Sequence, residues 1–122
     1  MVDNVISSDD VVTESSFTIR SDNIFVDNGV FIEPGLVENM AQTLAVRGGI
    51  IRTREKKDVP VGLIGSIKNL KVRKLPKVGS TIHTRIKIEN EVLLATIIKG
   101  EVIQDEEILA ECEMKIFLKR DD

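Results

Sequence analysis

A carboxylate and an amide stand four residues apart, Glu38 and Gln42, in the stretch DNGVFIEPGLVENMAQTLAVRGG. Positions at that spacing share one face of a helix, so the two side chains can hydrogen-bond each other. Their neighbours are apolar, and an unpaired charge in such a setting is costly, so Glu38 must be paired, protonated or functional. Two readings stay open. Glu38 and Gln42 form a structural pair, or Glu38 is an acid or base tuned by burial. Asp27 could serve as a base and Asn28 could orient a water, although both also fit a simple turn before Gly29. The sole histidine, His83, falls on the polar face of a strand, where an exposed residue is expected. The sole cysteine, Cys112, falls on an apolar strand face, where an inert core thiol is expected. One His and one Cys cannot build a zinc site of the usual kind, and neither a metal nor a cofactor is expected.

The elements that must hold these residues can be read from hydrophobic spacing. Leu36, Met40 and Leu44 recur every four residues, as do Val37, Ala41 and Ala45, which makes a helix with a broad apolar face. Pro34 suits its first turn and Gly48-Gly49 a stop, so the helix is expected over about 34–47. Ahead of it, MVDNVIS and VVTESSFTI flank a polar turn and predict a hairpin; SDNIFVDNG reads as a loop with a brief extended piece. After it, RTREKKD reads as a charged surface linker, and the main strands are expected over about 59–119. VPVGLIGSIKNLKVRKL changes its apolar phase near Lys68, which predicts a bulge or bend. In TIHTRIKIEN, Ile82, Thr84, Ile86 and Ile88 share one face. The last strand is the most regular: Ile108, Ala110, Cys112, Met114, Ile116 and Leu118 alternate with Leu109, Glu111, Glu113, Lys115, Phe117 and Lys119. This order predicts an α+β fold in which an antiparallel sheet curls around one central helix, as a single domain over 1–122.

Composition narrows the partners. The chain has 122 residues, 42% hydrophobic and 30% charged, with a net charge of −3, four Phe and neither Trp nor Tyr. Stacking platforms for single-stranded nucleic acid are therefore not expected. The basic cluster Lys68, Lys71, Arg73, Lys74 and Lys77 is local, and reads as a solvated strand face or as a dock for an acidic partner. No apolar run is long enough for a membrane span, no signal-peptide pattern opens the chain, and the lone cysteine fits a reducing compartment, so a cytoplasmic location is expected.

The order of elements and the quoted residues resemble the hotdog fold, and more narrowly the β-hydroxyacyl-acyl-carrier-protein dehydratases. ENMAQ, Glu38 to Gln42, is similar to the family's helix motif EAMAQ, and IGSIKNLKVRKLPKVGSTI and GEVIQDEEILAECEMKIFL are similar to its later segments. The resemblance implies an acyl-carrier-protein or coenzyme A thioester as substrate. A His would remove the proton next to the thioester carbonyl, and Glu38 would assist loss of the hydroxyl. Gly35, with Gly65 or Ser66, would supply backbone amides to the carbonyl, and Gln42 would line the acyl pocket. Close helix-to-strand packing is the other reading of Gly35 and Gly65, and both readings can hold together. The chain departs from the pattern at one point: the family's His sits in a GHFPG loop, and the matching place here is Val26-Asp27, without a His. In such dehydratases the active sites straddle a dimer interface, with His and Glu from different subunits. The resemblance therefore implies a homodimer or higher assembly, or a heterodimer in which this chain complements a His-bearing paralogue. An acyl thioesterase is the remaining alternative, although EPGLVENMAQ lacks the usual HGG lead-in.

Overall fold

A computed structural model describes residues 1–9, 11–54, 61–92 and 95–119. Strands β1 (Asn4–Ser8) and β2 (Val12–Thr18) form the expected first hairpin, with Asn4 opposite Ser16 and Ser8 opposite Thr13. Its turn is held by Asp9, whose carboxylate accepts the amides of Val11 and Val12 at 2.8 Å. Two-residue strands β3 (Val26–Asp27) and β4 (Val30–Phe31) precede the helix α1 (Glu33–Arg54). Four long strands follow: β5 (Val61–Val72), β6 (Thr81–Val92), β7 (Ala95–Gln104) and β8 (Glu107–Lys119).

The main sheet has six strands in the order β1-β2-β6-β7-β8-β5, with every pair antiparallel. Consecutive strands pair from β6 to β8, as hairpin-length connections favour. Strand β5 comes immediately after the helix yet lies at the far edge beside β8. Its register against β8 shifts between Ile64 and Ser66 and again between Lys68 and Lys71. The second shift is the irregularity expected near Lys68, and Asn69 there takes a left-handed φ of 55°.

One face of the sheet supports the helix. Phe17, Ile82, Ile86, Ile98, Val102, Ala110, Cys112, Met114 and Ile116 are buried together with Leu36 and Met40 of α1. The helix approaches β7 so closely that a Cβ added at Gly100 would lie 2.6 Å from the Met40 sulfur. A larger residue at position 100 would have to displace the Met40 side chain.

Three expectations change. The helix does not stop at Gly48-Gly49 but continues to Arg54. Glycine costs only about 1 kcal/mol in a helix interior, too little to end a helix already propagating. Of the segment read as a linker, Arg52–Arg54 is therefore helical, and the remainder lies outside the described residues. Second, the Val37–Ala41–Ala45 stripe of the helix is not fully covered. Leu36 and Met40 are buried, whereas Val37, Ala41 and Leu44 are half-buried and Ala45 is exposed. Third, Leu109 is buried although it alternates with the outward residues of β8. The β7–β8 register shifts between Val102 and Ile103, so Leu109 is the extra residue of a bulge and turns inward. Its carbonyl accepts the Arg73 amide at 2.7 Å, which ties the end of β5 to this bulge.

Candidate active site on the central helix

Helix α1 carries two polar pairs at the same four-residue spacing. Glu38 and Gln42 form the outer pair: the Gln42 side-chain amide donates to Glu38 Oε1 at 2.9 Å. Glu38 is half-buried and Gln42 exposed, so the carboxylate is open to water rather than enclosed in apolar surroundings. The stripe Val37–Ala41–Ala45, read from sequence as core, is the partly uncovered flank beside them. The inner pair, Asn39 and Thr43, is fully buried against β2 and β6.

The segment leading into the helix is a tight β-hairpin. Val26 pairs with Phe31 and Asp27 with Val30, while Asn28 (φ 50°) and Gly29 (φ 79°) form the two-residue turn between them. Both positions are left-handed, the geometry for which Asn-Gly is the favoured sequence. This hairpin is fastened to the LPKVGS turn: Phe31 donates its amide to the Pro76 carbonyl at 2.8 Å, and Val78 donates to the Gly29 carbonyl at 2.9 Å. Asp27 and Asn28 are both exposed on it. The turn-forming reading thus accounts for their positions.

The two glycines assigned to a carbonyl cradle are each filled by an aromatic ring. A Cβ at Gly35 would fall 2.7 Å from Phe25 Cβ and 2.7 Å from the Phe31 ring. The Gly35 amide donates to the Ile32 carbonyl at 2.9 Å, and Leu36 donates to the same oxygen at 3.3 Å. A Cβ at Gly65 would overlap the Phe117 ring, which lies across β5 from β8 with Lys115 Nζ 5.3 Å from its centroid. Ser66, at the neighbouring register shift, lines a hollow of about 170 Å³ with Lys68, Glu113 and Lys115. That hollow opens on the sheet face away from α1, because Lys68, Glu113 and Lys115 alternate with the inward residues. Close packing thus accounts for the lack of a side chain at Gly35 and Gly65.

The other reactive side chains lie apart from Glu38. His83 is exposed on the outer face of β6, opposite Ser16 and Ile103. Cys112 is buried, with its thiol 3.8 Å from the Met40 sulfur, and burial followed by the charge of Glu113 pushes its pKa up to about 11. A thiol so held is protonated at neutral pH and is not a nucleophile. Among the described residues, no group of three or more His, Cys, Asp or Glu side chains could hold a metal ion.

Sequence reasoning passed over the buried polar residues. Thr84 Oγ1 donates to Asn39 Oδ1, Asn39 Nδ2 donates to the Met1 carbonyl at 2.9 Å, and Thr43 Oγ1 donates to the Asn39 carbonyl at 2.8 Å. Ser15 Oγ lies 2.8 Å from Thr43 Oγ1. The available signal was Thr84 on the isoleucine face of its strand, with Asn39 and Thr43 between apolar helix positions.

The ApeP-like family model, described as ApeP dehydratase, matches residues 1–122. The chain belongs to this family. Among solved structures, the ApeP-like chain is similar to the dehydratase heterocomplex ApeI:P from Xenorhabdus doucetiae, with a TM-score of 0.85 and 16% identity over 98% of this chain and 82% of that one. It is also similar to a hypothetical thioesterase with coenzyme A from Streptococcus pneumoniae, with a TM-score of 0.76 and 8% identity over 95% and 87% of the two chains. A Streptococcus mutans protein bound to acetyl-CoA matches with a TM-score of 0.72 and 12% identity, over 95% and 87%. No curated protein matches in sequence. The hotdog fold and the dehydratase-like family expected from sequence are thus established. As an ApeP-like protein the chain is a dehydratase-like hotdog protein.

Proposed function

We propose that this chain is the Glu-bearing subunit of a 3-hydroxyacyl-thioester dehydratase whose base comes from a second, His-bearing hotdog subunit. The observation that carries this reading is the hairpin ahead of α1. Where a dehydratase of the resembling type has its His loop, this chain has a closed Asn28-Gly29 turn pinned to the Pro76–Val78 segment. A helix carboxylate beside an apolar, partly uncovered flank is half of a dehydration site. The proton next to a thioester carbonyl is weakly acidic, so the reaction needs a positioned base. In the completed site that base takes the proton, Glu38 assists departure of the hydroxyl as water, and the enoyl thioester remains. Gln42 holds Glu38 in place through its 2.9 Å hydrogen bond.

The solved neighbour named as a dehydratase heterocomplex supports assembly with a different subunit. The molecule also offers an edge for it. Strand β5 ends the sheet, and its Ile67 and Leu70 are each 40% exposed. Pairing there would cover unpaired strand edge and exposed side chains together. An acyl-carrier-protein or coenzyme A thioester as substrate belongs to the same reading, as does cytoplasmic residence. Among the described residues no helix is long and apolar enough to cross a membrane.

The test is a mixture of this chain with a His-bearing hotdog dehydratase subunit and a 3-hydroxyacyl thioester. Enoyl thioester should form in the mixture and not with this chain alone. Release of free thiol without enoyl product would instead assign a thioesterase, and failure of the two chains to co-purify would contradict the proposal.

A further inference from the structure

Five of the buried polar side chains, Thr13, Ser15, Asn39, Thr43 and Thr84, lie on β2, β6 and the helix face between them. Ser15 and Thr84 stand directly opposite each other on β2 and β6. Asn39 and Thr43 are one helical turn apart and reach both strands, Asn39 to Thr84 and Thr43 to Ser15. Thr43 gives its only hydroxyl proton to the Asn39 carbonyl, so Ser15 is the donor in the Ser15–Thr43 bond. Every polar atom of the Asn39 side chain is thereby engaged: Oδ1 accepts from Thr84 and Nδ2 donates to the Met1 carbonyl.

The rest of this helix face is apolar and could pack at several rotations, since dispersion contacts are not directional. The hydrogen bonds have one solution. A rotation or slide of α1 would leave Asn39, Thr43, Ser15 and Thr84 buried without partners, which is strongly disfavoured. Glu38 and Gln42 each precede a member of this inner pair by one residue, so the setting of the inner pair is the setting of the outer one. We propose that Asn39, held by Thr84, is the positioning residue of the site: it fixes the rotation and height at which α1 presents Glu38. This rests on the reading of Glu38 as the dehydratase carboxylate.

The experiment compares Thr84→Val, Thr84→Ser and the double variant Asn39→Leu with Thr84→Val, each mixed with the His-bearing subunit. A displacement of about 1 Å at a reacting group lowers turnover on the order of 100-fold, so Thr84→Val should lower kcat by at least about tenfold with KM little changed. Thr84→Ser restores the hydroxyl and should restore most of kcat. Apolar replacement of both side chains removes the buried unpaired Asn39 and Thr84 groups and leaves only the half-buried Met1 carbonyl to water, so the double variant should recover most of the thermal stability but not kcat. A merely structural role would return stability and kcat together, and that result would overturn the proposal.

A second measurement needs no activity. Met40 sits against Gly100, so a nuclear Overhauser contact between them reports the seating of the helix. It should weaken in the double variant while helix content is retained. An unchanged contact would overturn the positioning role. Absence of enoyl product from the wild-type mixture would instead sink the dehydratase reading, with this contact still deciding whether Asn39 sets the helix.

Discussion

Gly35 is kept small by Phe25 and Phe31, which in turn stack edge-on at 6.3 Å. Gly35→Ala forces a methyl group against a backbone-proximal Cβ and a fully buried ring, an overpacking that costs typically about 1–3 kcal/mol. Denaturant unfolding of that variant checks the value. Cys112 makes a second prediction at this scale. Its folded pKa of about 11 lies above the reference 9.0, so the thiol favours the folded state in its protonated form. That contribution is fully present below pH 9 and is lost as pH rises from about 9 to about 11. The difference in stability between wild type and Cys112→Ala should therefore shrink across that window, as followed by urea titrations at successive pH values. A difference independent of pH would contradict the burial argument.

At the scale of elements, the hairpin before α1 governs what the site can be. Gly29 has a φ of 79° with open space around its Cα, so Gly29→Ala pays only for the backbone. It should cost about 1 kcal/mol and loosen the turn, seen as faster amide exchange at Phe31 and Val78. The element pattern was largely legible beforehand. Strict alternation located β6 and β8, and the phase change near Lys68 located a real bulge, because one face of each strand is buried and alternation records that. The helix end was not legible, since Gly48-Gly49 is a stop only where packing and neighbours allow it. The inward turn of Leu109 was hidden for a related reason. A bulge breaks the period of two that sequence reading relies on. On the helix, the pairing of Glu38 with Gln42 was legible in their four-residue spacing. Their exposure was misjudged, because an apolar flank on a helix reads the same whether its own sheet covers it or not. Asn39 and Thr43 were passed over because small polar residues inside an apolar run look like surface.

The whole molecule presents a sheet that leaves one flank of its helix partly uncovered and ends at an edge strand with exposed apolar side chains. Ile67→Lys combined with Leu70→Lys should abolish assembly through β5 and leave the fold intact. Charges on an edge strand block edge-to-edge pairing. Sedimentation velocity alongside circular dichroism separates the two effects, and a variant that assembles as wild type does would move the interface elsewhere.

Completion of half a site by a second subunit is the central claim, and the Glu38 carboxylate is this chain's contribution to it. The most direct measurement is the rate of enoyl-thioester formation in the mixture with a His-bearing subunit, comparing wild type with Glu38→Gln. Loss of a positioned acid–base group should slow the reaction by about 100-fold to 10,000-fold while the two chains still co-purify. Turnover by the Glu38→Gln mixture at the wild-type rate would contradict the account.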